Sequence, residues 1–165
     1  MQKQLEELLA KYSTYKVTLK EVITTNNKYP AELDYVISHL SENTIQNFSH
    51  LMKVLNIIRQ EYNKPMCVSC GFRNPEHNIR VGGSPNSLHC LGGACDIRDP
   101  NGELDKWLIN HKDFLRSNHI YVEHPFYTKG WAHIQYKAPR SNNTFFIPYV
   151  GGPKEKDRDP LFEHI

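Results

Sequence analysis

Ser84-Pro85-Asn86-Ser87-Leu88-His89-Cys90-Leu91-Gly92-Gly93-Ala94-Cys95-Asp96-Ile97 is where the chain passes from loop into strand. Pro85 and Asn86 open the stretch, two glycines let the backbone turn and pack closely, and Gly92 to Ile97 reads as extended. Asp99-Pro100-Asn101-Gly102 closes that strand. Just upstream, Arg73 to Asn86 is rich in Pro, Gly and Asn and is expected to be loop, while Met66 to Gly71 is short and strand-like. Upstream of Pro65 the apolar residues change to a helical period.

Four helices are predicted there. Leu5, Leu8, Leu9 and Tyr12 share one face of a short helix. Thr18-Leu19-Lys20-Glu21 has the spacing of a capping box, so another short helix follows, ending near Asn26-Asn27. Pro30 suits the first turn of a third, carrying Leu33, Val36, Ile37 and Leu40. Ile45, Phe48, Leu51, Met52, Leu55, Ile58 and Tyr62 form one apolar stripe, with Asn43 and Gln46 as its cap and Lys64-Pro65 as its stop. This last is the expected core helix.

Downstream of the quoted stretch, Leu104, Trp107, Leu108, His111, Phe114 and Leu115 return to helical period. Ile120 to Glu123, Trp131 to Tyr136 and Phe145 to Val150 read as strands. Helices first and strands later, without regular alternation, predict an α+β fold with N-terminal helices packed on a small antiparallel sheet. One domain is expected over residues 1–150, with 1–16 as a helical extension and 151–165 as a charged surface tail.

Length and composition agree with one globular unit. A chain of 165 residues can bury roughly 70% of its extended surface, and 39% hydrophobic content is too apolar for disorder. A net charge of +2 is no footprint for nucleic acid. No apolar run nears the ~20 residues that span a bilayer, so no membrane insertion is expected. The opening Met1-Gln2-Lys3-Gln4-Leu5-Glu6-Glu7 reads as helix rather than signal peptide, which predicts cytoplasmic synthesis with reduced cysteines.

His89 and Asp96 flank the two glycines and can converge on one point. In a strand, His133 shares a face with Trp131 and Gln135, while Ala132 and Ile134 face the other way. Two His and one Asp suit zinc and leave a fourth position for water, as in catalytic sites. Either His alone is more often a hydrogen-bonded structural residue. Cys67-x-x-Cys70 with Cys90-x4-Cys95 offers a competing zinc module. Against it, Cys67 and Cys70 differ by an odd number and face opposite sides of a strand, so buried free thiols are the simpler expectation.

Cys70-Gly71-Phe72-Arg73, Asn78, Val81-Gly82-Gly83-Ser84, Ser87-x-His89, Gly92-x-Ala94-x-Asp96-Ile97 and Trp131-x-His133 together resemble the zinc D-alanyl-D-alanine peptidase family. That family includes carboxypeptidases and peptidoglycan endopeptidases of phages and bacteria on a hedgehog-like fold. The resemblance runs from about Val17 to Tyr136. It implies one zinc ion held by His89, Asp96 and His133. Arg73 aligns with the Arg that steadies the substrate carbonyl, and Ser87 with a residue beside the metal. Asn78 and Ser84 shape the same loop, and Trp131 walls the cleft. Many members place a Glu three residues before the last His, where this chain has Gly130. Glu123, at the end of the preceding strand, is the candidate general base, with His124 as the substitute.

The expected function is hydrolysis of a peptide bond in the peptidoglycan stem or cross-link by a phage endolysin or virion lysin. It would reach the wall after release, or in a particle with virion proteins as partners. The alternatives are a D-Ala-D-Ala carboxypeptidase of wall remodelling and a non-catalytic zinc-containing wall-binding or virion protein.

Overall fold

The computed structural model describes residues 1–25, 30–38 and 40–147. In chain order the elements are α1 (Gln2–Lys11), α2 (Leu19–Thr24), α3 (Pro30–Ser38), α4 (Glu42–Tyr62), β1 (Val68–Cys70), α5 (Pro75–Arg80), β2 (Ala94–Asp99), α6 (Glu103–Asn110), α7 (Lys112–Ser117), β3 (Tyr121–Glu123), β4 (Gly130–Gln135) and β5 (Phe145–Phe146). The fold is α+β, with helices against a five-stranded sheet ordered β1-β2-β4-β3-β5.

Helices α2, α4 and α5 begin where a side chain takes one of their free amides. Thr18 accepts from the Glu21 amide while the Glu21 carboxylate takes the Thr18 amide, a complete capping box on α2. The core helix α4 starts earlier than the Asn43–Gln46 pairing predicted: Ser41 Oγ accepts from the Thr44 amide. It ends with Asn63 in the left-handed conformation. Its stripe is the core, with Phe48, Leu51, Met52, Leu55 and Ile58 fully buried.

Three other expectations are corrected. The segment read as loop from Arg73 to Asn86 contains α5, capped by Asn74 on the His77 amide with Pro75 in the first turn. The single helix expected from Leu104 to Leu115 is two, broken at His111. The sheet is antiparallel except at one edge, where β5 runs parallel to β3, and among the described residues β5 covers Phe145–Phe146 of the strand expected there. Residues 148–150, the tail from 151, the Asn26-Asn27 helix end and the side chain of Leu33 lie outside what is described.

Register sorts the sheet into two faces. Cys95 pairs with Ile134, Ile97 with Ala132 and Val122 with both Ile134 and Phe145, and all of these are buried in the core. The helical layer meets the sheet where α4 contacts β4, α6 contacts β2 and α2 contacts β1. The other face carries polar residues in cross-strand rows.

Candidate metal centre

One row on that polar face crosses the whole sheet. Cys70 pairs with Asp96, and Asp96 pairs with His133. Tyr121 pairs with Gln135 and Val122 with Ile134, so one more step of that register sets Glu123 opposite His133. Glu123 in turn pairs with Phe146 on the edge strand. Cross-strand neighbours share a face, so five strands each contribute one residue to a single line.

His89 joins the row from the loop that precedes β2. Its Nε2 lies 3.3 Å from His133 Nδ1 and 3.4 Å from Asp96 Oδ1. His133 Nδ1 is 2.7 Å from Asp96 Oδ1. Donors about 2.0–2.2 Å from a tetrahedral zinc stand about 3.3–3.5 Å from one another. Two edges of this triangle already have that length, and the third is shortened to a hydrogen bond. Two neutral imidazoles and a carboxylate are also the right donor chemistry. The three residues fit one zinc ion.

The outward side of each imidazole is fixed. His89 Nδ1 donates to the Gly71 carbonyl at 2.8 Å, which leaves Nε2 to face the triangle. His133 Nε2 is 3.3 Å from Gln135 Oε1, a donor–acceptor pairing that leaves Nδ1 inward. Gly71 is required here for a separate reason: a Cβ would lie 2.0 Å from the Val22 carbonyl oxygen. The Phe72 amide donates to that same oxygen at 2.7 Å, which docks the Gly71 backbone on α2.

Electrostatics favour a cation. His89 and Asp96 are buried, and burial opposes charge on both. For Asp96, hydrogen bonds with His133 and His89 outweigh that cost and hold the carboxyl well below the usual range. For His89, hydrogen bonds to Asp96 and Cys70 outweigh it and raise the imidazole to about 10. The negative potential that favours a proton on His89 favours a metal ion among the same atoms.

Arg73 lies against this cluster. Its guanidinium donates to Asn78 Oδ1 at 3.1 Å and to Cys70 Sγ at 3.0 Å, and comes within 3.9 Å of Asp96 Oδ2. Asn78, buried on α5, also donates to the Ser84 carbonyl, so it ties Arg73 to the loop. Ser87 Oγ accepts from the His89 amide at 3.3 Å, which places it on the loop backbone beside the ligand candidate. Trp131 is exposed on β4 two residues from His133 and pairs with Arg98. Burial raises the Glu123 carboxyl above its ordinary value, against the pull of His133, which puts Glu123 in electrostatic reach of the triangle. His124 is buried, and its Nδ1 accepts from the Phe126 amide at 3.2 Å in the following turn.

The cysteine expectation is partly corrected. Cys95 is buried, but Cys67 is exposed and Cys70 and Cys90 are half-buried. Cys70, His89 and Asp96 each place a ligand atom within 4.8 Å of the others. Among the described residues no such group contains a second cysteine, so the four thiols form no separate zinc module. Cys70 Sγ is 3.7 Å from His89 Nδ1, on the side of the ring that faces Gly71.

Three positioning groups escaped the sequence reading: the Gly71 carbonyl, the Gln135 side chain and Asn47. Asn47 on α4 donates to the Leu91 carbonyl at 2.7 Å and accepts from the Tyr136 hydroxyl, so one helix holds both ligand-bearing segments. Alternation put Gln135 on the face of His133; nothing in sequence signals the other two.

Residues 7–134 match the model of a family described as Peptidase M15. No curated protein matches the chain.

Proposed function

The chain belongs to the M15 peptidases and is a zinc-dependent hydrolase, and from that premise we propose that it cleaves a peptide bond of the peptidoglycan stem or cross-link. The observation that carries the reading is the triangle of His89 Nε2, Asp96 Oδ1 and His133 Nδ1, with edges of 2.7–3.4 Å at the middle of the sheet. These three residues would hold the metal. Zinc bound there supplies Lewis acidity, polarising a peptide carbonyl and making water more acidic.

The remaining steps fall to side chains of this chain. Glu123 takes a proton from the attacking water and delivers it to the leaving amine, a task suited to a half-buried carboxyl whose affinity for protons is raised. The cross-strand position opposite His133 supports that role. Arg73 meets the substrate carbonyl oxygen as charge develops on it, and its buried Nε has no hydrogen-bond partner among the described residues. Ser87 and Asn78 keep the loop and Arg73 in place, and Trp131 forms a wall for the stem peptide. Stem peptides alternate L and D centres, so a cleft fitted to them rejects ordinary proteins.

We place the protein as a phage-type lysin, made in the cytoplasm and acting on the wall after release or from a virion. The test is mass spectrometry of purified peptidoglycan digested with and without a chelator. New L-Ala carboxyl and D-Glu amino ends, or opened cross-links, that vanish with chelator are expected. Release of D-Ala alone would make it a carboxypeptidase. No product from any wall chemotype, with zinc bound, would overturn the catalytic reading.

A further inference from the structure

A second surface lies away from the zinc row. The turn that joins α1 to α2 and the adjoining face of α4 enclose a hollow of about 760 Å³, and no residue of the metal centre lines it. Four cations surround it, Lys11, Lys16, Lys53 and Arg59, and none of its twelve lining residues is acidic. Among the described residues none of these four forms an ion pair with a carboxylate; the ion pairs there involve Lys64, Arg73, Arg116, His89 and His133. In a chain of net charge +2 this is a local concentration of positive charge without carboxylate partners, with Lys11 lying over the Tyr12 ring at 5.2 Å.

The hollow is also built. Asn56 on α4 accepts from the Val17 amide and donates to the Val17 carbonyl, which pins the turn against the helix. Tyr12 and Tyr15 pack with ring centroids 5.0 Å apart at 60°. Tyr15 is 44% exposed, so part of that aromatic pair faces solvent. Tyr12 is 2% exposed and its hydroxyl has no hydrogen-bond partner among the described residues. The exposed Tyr15 ring, set among ammonium and guanidinium groups, suits a ligand that alternates polyhydroxylated units with anions.

We propose that this hollow binds a phosphodiester-linked glycan or polyol polymer of the cell wall. The inference rests on the reading that the protein works at the wall, and adds to it a means of staying there. Lys16, Lys53, Lys11 and Arg59 meet successive phosphates, and Tyr15 stacks on a sugar or polyol face between them. Binding of this kind is dominated by charge and weakens as salt rises. It also holds the enzyme beside its substrate, raising the local concentration seen by the zinc row.

The test is co-sedimentation with purified Gram-positive sacculi that retain their phosphodiester polymers, and with the same sacculi stripped by hydrofluoric acid. Hydrolysis of a soluble muropeptide is measured in parallel. The protein is expected to pellet with the untreated sacculi and to lose that binding with added salt or after stripping. The double variant Lys16→Glu, Lys53→Glu, both exposed, should bind untreated sacculi about tenfold or more weakly and cleave the soluble muropeptide at the unaltered rate. Tyr15→Ala should weaken binding without removing its salt dependence. Equal binding to stripped and untreated sacculi, or full binding by the charge-reversed protein, would overturn the proposal. So would tighter binding to a DNA oligonucleotide than to the walls. Failure of the zinc-bound protein to cleave the muropeptide or any wall chemotype, while selective sedimentation persists, would remove the peptidase reading and leave this one standing.

Discussion

Gly71 orients His89 through a backbone carbonyl, whereas Gln135 orients His133 through a side chain, so only the second support can be removed by substitution without moving the chain. We expect Gln135→Leu to weaken zinc affinity about 10–100-fold, read by competition with a chromogenic chelator. His133→Ala should lose the ion outright. Glu123→Gln keeps the neutral shape and removes the base. Zinc content should stay at one per chain while kcat falls about 10²–10⁴-fold, and undiminished turnover would take Glu123 out of the mechanism. That His89, Asp96 and His133 meet at one point could be anticipated from donor type, strand alternation and the motif resemblance together. The Gly71 carbonyl could not, because every residue has a carbonyl and only the fold aims one.

Elements show the same division. The α2 cap could be read from Thr18 and Glu21 because both partners lie within one turn. The start of α4 was misplaced because Ser41 and Asn43 are both good caps, and Ser41 is the one that accepts from the Thr44 amide. Helix α5 was hidden in a run of turn residues, although Asn74-Pro75 is itself a start signal. Its purpose is visible only in three dimensions: Asn78 passes so close to Gly83 that a Cβ there would lie 2.1 Å from its side-chain oxygen. Helix α6 carries a further consequence. Asp99 accepts from the Leu104 and Asp105 amides, and the buried Asp105 carboxyl beside it is pushed up to about 7 by burial and by Asp99. Unfolded, that carboxyl titrates near ~4, so between about pH 4 and 7 the folded state holds more protons. Stability from this group is full below about pH 4 and is lost as pH rises through 7. Asp105→Asn should flatten that decline, seen as a higher Tm than the parent at pH 8 and little difference at pH 4.

Across the whole molecule, the sheet separates two tasks. Its inner face seals a core with Phe48, Leu51, Leu55 and Ile134, and its outer face carries the candidate ligands Asp96 and His133. Chelation should therefore abolish hydrolysis and leave the far-ultraviolet circular dichroism close to that of the intact protein, with zinc restoring activity. Collapse of secondary structure on chelation would show that the metal holds the fold as well as the chemistry. The α+β class was readable from the order of helices and strands. The parallel edge was not, since two residues of β5 give no pattern of their own. The line Cys70, Asp96, His133, Glu123, Phe146 makes this protein behave like a text read in phase. A substitution at one position changes one letter. Loss or gain of a single residue within β2 or β4 shifts the frame, sending every later side chain of that strand to the opposite face of the sheet. Strand interiors should thus tolerate spelling changes but not length changes, while indels collect in the loops between them, where the count of residues does not decide which face a group meets.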